Sequence, residues 1–168
     1  TCFGFKGGIG RSSRRFKLDG VDYHLGVLTL TNFGRAGDLV LPDGRRPSPK
    51  TMAQPERGSV IVILATDIPL EHRQLKRVVR RCGAGLARLG AFWGNGSGDI
   101  ALGFSTAVTF DHDAQQDLMT MQFLNENRIY ILFRAAAEAT QEAVLNSMCA
   151  AENFVGRGGN RRISLSDW

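Results

Sequence analysis

Cysteine is scarce in this sequence. The three present, Cys2, Cys82 and Cys149, stand far apart with no CxxC pair. An odd and scattered set argues against a disulfide framework, and it fits a reducing, cytoplasmic setting better than a periplasmic one. Long apolar runs are missing too. The longest aliphatic stretch is Val60 to Ala65, far short of the roughly 20 residues that a membrane-spanning helix needs. Proline is almost confined to one place, with all but one of the 5 falling between Asp38 and Arg57. That stretch also carries many charges and no apolar period, so it reads as a loop or linker. No methionine opens the chain and no charged-then-apolar leader precedes Thr1, which reads as a mature, processed or truncated sequence.

What remains is ordinary for a globular protein. The 168 residues are 43% hydrophobic and 22% charged, enough for one domain with a real core. The net charge of +5 invites a nucleic-acid reading, but its placement removes most of that invitation. Arg73, Lys76, Arg77, Arg80, Arg81 and Arg88 face Glu71 alone between positions 71 and 90, and the rest of the chain is balanced. No aromatic residue interleaves these charges to stack on bases. The expectation is a solvated helix face, with neither nucleic acid nor membrane as partner.

The coarse organisation follows from periodicity. Residues Thr1 to Gly10 form a glycine-rich opening, followed by a basic patch from Arg11 to Lys17. Tyr23 to Thr31 reads as a strand, and Ser59 to Ala65, apolar on both faces, as a strand buried on both sides. Leu75, Val78, Val79, Cys82, Leu86 and Leu89 form a helical stripe, weakened by Gly83 and Gly85. A glycine turn from Gly94 to Gly98 leads to a strand over Asp99 to Phe110. Asn125 caps a last long helix, whose stripe includes Leu132, Ala136, Thr140, Ala143 and Val144. Buried strands with amphipathic helices predict an α/β layered sandwich.

Gly58-Ser59 is the junction that carries chemistry. The serine would sit at the mouth of a rigid strand, approachable from solvent. A preceding glycine lets its own carbonyl be attacked closely and lets the backbone take a strained shape. This suits an N→O acyl shift, in which the Ser59 hydroxyl attacks the Gly58 carbonyl and water then frees a chain beginning at Ser59. The new α-amino group, with an unperturbed pKa of about 7.7–8.0, can act as a base or orient substrate. The bland alternative is a turn before a strand. Ser97 and Asp99, two residues apart, share one face if extended and could form a hydroxyl relay backed by a carboxylate; the alternative is a glycine turn. Asn32, at the end of its strand, could offer an amide N–H to an oxyanion, or be a turn residue. Gly4, Gly7, Gly8 and Gly10 lack the order of a phosphate loop. His24, His72 and His112 are scattered, and Asp111-His112-Asp113 reads as a solvated turn rather than a ligand set.

Taken in order, these stretches resemble the DmpA family of self-cleaving serine aminopeptidases, which includes D-aminopeptidases, β-peptidyl aminopeptidases and, more distantly, nylon-oligomer hydrolases. The similarity runs through Gly4-Phe5-Lys6-Gly7-Gly8-Ile9-Gly10, Gly26-Val27-Leu28 to Asn32, and Gly58-Ser59-Val60-Ile61-Val62 to Asp67. It continues with His72-Arg73-Gln74-Leu75-Lys76-Arg77, Asn95-Gly96-Ser97-Gly98-Asp99-Ile100, Phe104-Ser105-Thr106 and Gly156-Arg157 to Arg161. The resemblance implies an αββα sandwich like that of N-terminal-nucleophile hydrolases, incomplete in this chain. It implies cleavage between Gly58 and Ser59, with residues 1–58 ending one piece and 59–168 forming the other. Ser59 is then the nucleophile, Asn32 contributes to the oxyanion hole, and Ser97 and Asp99 assist. Small peptides, amides or esters would be substrates, with no metal or organic cofactor and with self-association into oligomers. Family precursors carry a comparable stretch before the glycine-rich segment, including an active-site tyrosine, and no residue here takes that role; this sequence is then a fragment, or that N-terminal half is a separate partner chain, or this is a shortened homologue. The alternative function is a truncated, catalytically silent homologue acting as a self-associating module.

Overall fold

Two strands arise from a pattern of alternating burial. In the computed structural model, which describes residues 1–49 and 57–168, β1 (Ile9–Leu18) and β2 (Val21–Asn32) form an antiparallel hairpin. Asp19 and Gly20, at φ 48 and 83, make the two-residue turn. Both residues must adopt positive φ in a turn whose twist matches the strands, which is why Asp-Gly suits it. β1 occupies the segment expected to be a basic patch. Its polar residues hid the alternation: Ser12 and Arg14 turn inward with Phe16 and Leu18, and both reach Glu142, at 2.8 and 2.7 Å.

β3 (Ser59–Thr66) pairs antiparallel with β2, and β4 (Ile100–Ser105) pairs parallel with β3, giving the order β1-β2-β3-β4. β4 is shorter than expected. The Ser105 hydroxyl donates to Ile68 O at 2.7 Å and accepts from Ala107 N at 3.2 Å, diverting the backbone from the ladder. The proline-rich loop expected from Asp38 to Arg57 lies partly outside the described residues; Asp38 to Pro49 holds no helix or strand.

The expected 71–90 helix divides into α1 (His72–Val79) and α2 (Cys82–Arg88). Glu71 and Gln74 close a capping box at the start of α1. Gly85, a weak helix former, is needed where α2 meets the last helix, because a Cβ there would lie 2.3 Å from Ala137 O. That last helix, α3 (Tyr130–Cys149), begins later than expected. Asn125 instead caps a 3₁₀ turn, Glu126–Arg128, that leads into it.

The helices α1, α2 and α3 lie on one face of the sheet. Leu25 and Val27 of β2 and Val60, Val62 and Leu64 of β3 are buried there with Val78, Leu86, Leu132 and Val144 in one cluster. The other face is apolar and, among the described residues, bare. Leu28, Leu30, Ile61, Ile100, Leu102 and Phe104 share it through the strand register and are all exposed. β3 is therefore covered on one side only, and not on both as its composition suggested. A helical layer packed on a four-stranded sheet is what half of an αββα sandwich contains.

Candidate active site

Ser59 opens β3 on the bare face, directly across from Asn32, the last residue of β2. The register of the β2–β3 pair thus brings together two residues far apart in sequence. Gly58 continues toward the next strand through a bridge with Ser97. Its N–H donates to Gly96 O at 3.3 Å, and its carbonyl accepts from Gly98 N at 3.1 Å. The Ser59 hydroxyl donates to that same carbonyl at 2.7 Å and accepts from Gly98 N at 3.2 Å. A single backbone N–H therefore reaches both the serine oxygen and the carbonyl before it.

Ser97 and Asp99 are also joined. The Ser97 hydroxyl donates to Asp99 Oδ1 at 2.6 Å, and Val60 N–H donates to the same oxygen at 3.2 Å. Asp99 Oδ2 is buried and has no hydrogen-bond partner among the described residues. A carboxylate oxygen buried beside the first peptides of β3 with spare acceptor capacity is a costly arrangement. No hydrogen bond among the described residues links Ser97 to Ser59 directly. The connection runs through the Gly98 N–H and through Val60.

Asn32 Oδ1 accepts from the Thr1 nitrogen at 3.0 Å and the Thr1 hydroxyl at 3.3 Å. Those donors assign the amide orientation, so Nδ2 is the atom turned toward Gly58, 3.6 Å from where a Cβ on that glycine would stand. The four sequence-derived residues Asn32, Ser59, Ser97 and Asp99 thus lie around one peptide bond. The contributions of Gly98 N–H and Val60 N–H went unseen, because a backbone donor leaves no side-chain signature in sequence. The glycine between Ser97 and Asp99 was their one visible trace.

The histidines lie elsewhere. His24 Nδ1 is 3.0 Å from Asp67 Oδ2, at the end of the β2–β3 ladder remote from Ser59, and His72 and His112 are exposed. Among the described residues no cluster of three or more His, Cys, Asp or Glu side chains could hold a metal ion, and no helix is long and apolar enough to cross a membrane.

Comparison with known proteins shows the family. The chain is 37% identical to the β-peptidyl aminopeptidase BapA of Sphingosinicella microcystinivorans over an alignment 176 positions long, which covers 94% of this chain and 44% of that protein. Its structure superposes on the L-aminopeptidase D-Ala-esterase/amidase of Ochrobactrum anthropi with a TM-score of 0.84 at 33% identity, covering 98% of this chain and 47% of that one. That enzyme is described as a prototype serine aminopeptidase and a variant of the N-terminal-nucleophile hydrolase fold. The PH0078 protein of Pyrococcus horikoshii OT3 matches with a TM-score of 0.84 and 42% identity over 98% of this chain and 46% of that one. The chain spans less than half the length of these relatives. A sequence model of peptidase family S58 matches residues 1–162, and the chain belongs to that family.

Proposed function

We propose that this chain supplies the nucleophile-bearing part of a self-cleaving serine aminopeptidase that releases N-terminal residues from small peptides, amides or esters. The observation that carries the reading is the Ser59 hydroxyl oxygen 2.7 Å from the Gly58 carbonyl oxygen, on a carbonyl already polarised by a backbone N–H. The family relationship supports it, as do relatives named as aminopeptidases.

In self-cleavage, Ser59 Oγ bonds to the Gly58 carbonyl carbon and its proton passes to the Ser59 nitrogen as the C–N bond breaks. The resulting ester takes up one water, giving a Gly58 carboxylate, a restored hydroxyl and a free amine on Ser59. That amine stands one residue from the peptide N–H held by Asp99, whose second oxygen has acceptor capacity to spare. In turnover the same hydroxyl attacks the substrate carbonyl, with the amine or the Ser97–Asp99 pair receiving its proton. Asn32 Nδ2 supports the oxyanion. The bare apolar sheet face would pack against the rest of a longer precursor, completing the αββα sandwich before self-association.

The test is intact mass on the longer precursor. Cleavage between Gly58 and Ser59 yields a C-terminal piece beginning Ser-Val-Ile-Val, readable by Edman sequencing, and Ser59→Ala leaves one uncut chain. A precursor that hydrolyses aminoacyl p-nitroanilide while Ser59 remains internal would overturn the assignment.

A further inference from the structure

The backbone N–H of Gly98 is placed to do more than hold a turn. We propose that it is an oxyanion donor used twice, first on the Gly58 carbonyl during self-cleavage and then on the substrate carbonyl during turnover. The proposal rests on Ser59 being the nucleophile and assigns a second group, beside Asn32 Nδ2, that stabilises the charge its attack creates.

In the uncut chain this N–H is shared between Gly58 O at 3.1 Å and Ser59 Oγ at 3.2 Å. As the Oγ–C bond forms, the π electron pair of the carbonyl moves onto Gly58 O, and the donor follows the charge onto that oxygen. It needs little movement, since it already contacts both atoms. When Gly58 departs, the N–H loses its carbonyl and keeps the serine. Any substrate attacked by the same Oγ must bring its own carbonyl oxygen into the vacated position, so the same donor serves again.

Such a donor is effective only if it is fixed before reaction. Gly98 is held from both sides. Ser97 is bridged to Gly58, its N–H closes a turn onto Gly94 O at 2.9 Å, and its hydroxyl binds Asp99. Asp99 in turn is tied to Val60 N–H at 3.2 Å. Glycine also suits the position sterically, because a Cβ on Gly98 would stand 3.2 Å from Ser59 Oγ.

The experiment compares Gly98→Pro, which deletes the N–H, with Gly98→Ala, which keeps it and adds only the methyl group, both in the full-length precursor with folding checked by circular dichroism. Loss of one oxyanion donor costs about 10²–10³ in rate, so folded Gly98→Pro should process that much more slowly, with a similar fall in kcat after processing, while Gly98→Ala loses far less. Folded Gly98→Pro within a few-fold of wild type, or an equal loss in Gly98→Ala, overturns the proposal. If Gly98→Pro does not fold, a crystal structure of the processed wild-type enzyme with an aminoalkylboronic acid decides. A boronate oxygen within hydrogen-bonding distance of Gly98 N supports the role. A boronate on Ser59 with both oxygens away from Gly98 overturns it, and a boronate bonded to another residue overturns the nucleophile itself.

Discussion

A Cβ built on Gly58 would lie 2.0 Å from the carbonyl oxygen of Asn32. Gly58 is therefore pressed against the backbone of β2, and a side chain there would move its peptide bond away from Ser59. Gly58→Ala should fold around the same core yet process at least about 10²-fold more slowly, the scale of loss for a displacement near 1 Å at a reacting centre. Intact mass over time measures this. Processing at the wild-type rate would show that the close approach serves packing alone.

Asp99→Asn retains an oxygen for Val60 N–H and for the Ser97 hydroxyl, and removes the charge. If Asp99 and Ser97 take part in proton transfer, Asp99→Asn and Ser97→Ala should each slow self-cleavage and turnover by about 10²–10⁴-fold with the fold intact. Unchanged rates in both would reduce the segment to a structural turn.

The basic face of α1 is not uniform. Arg73 and Arg77 pair with Glu126, and the guanidinium groups of Arg77 and Arg81 lie 5.1 and 4.3 Å from the centre of the Phe133 ring, clamping α1 and α2 to the start of α3. Lys76 and Arg80 are exposed. Lys76→Gln with Arg80→Gln should leave both activity and melting temperature unchanged. Arg77→Ala should lower the melting temperature by about 2–4 °C, from a half-buried ion pair and a cation–π contact worth together roughly 1 kcal/mol. Thermal melts of the two variants side by side separate the roles. Equal melts would mean the clamp contributes nothing.

Burial pushes the Cys2 thiol from 9.0 up to about 12, and raises Cys82 as well, whereas Cys149 is exposed. Thiolate is the reactive form, so iodoacetamide at pH 8 should label Cys149 alone of the three in the folded protein and all three after denaturation. Because the folded pKa of Cys2 is the higher one, its contribution to stability is complete below about pH 9 and lost as pH rises toward 12. Peptide mapping that finds Cys2 labelled in native protein would contradict its burial.

The sequence by itself determined the strands with strong apolar character and the stripe of α3, and it singled out Ser59 as the candidate nucleophile. Ser59 was legible because a polar loop meets an apolar strand there, and the motif order around it resembles one family. Local chemistry also placed Ser97 and Asp99 as a pair, since spacing of two needs no knowledge of the rest. Three things waited on the tertiary structure. β1 was hidden because the inward-facing Ser12 and Arg14 are polar and find their partner in Glu142, more than a hundred residues away. The 71–90 stripe did not reveal its break at Arg80 and Arg81, because both halves keep apolar residues on one side. The meeting of Asn32 with Ser59, and of Gly98 N–H with the Gly58 carbonyl, depends on strand register and on backbone atoms. Register is a property of two strands together, and every residue carries the same backbone donor, so neither can be read from side chains in a row.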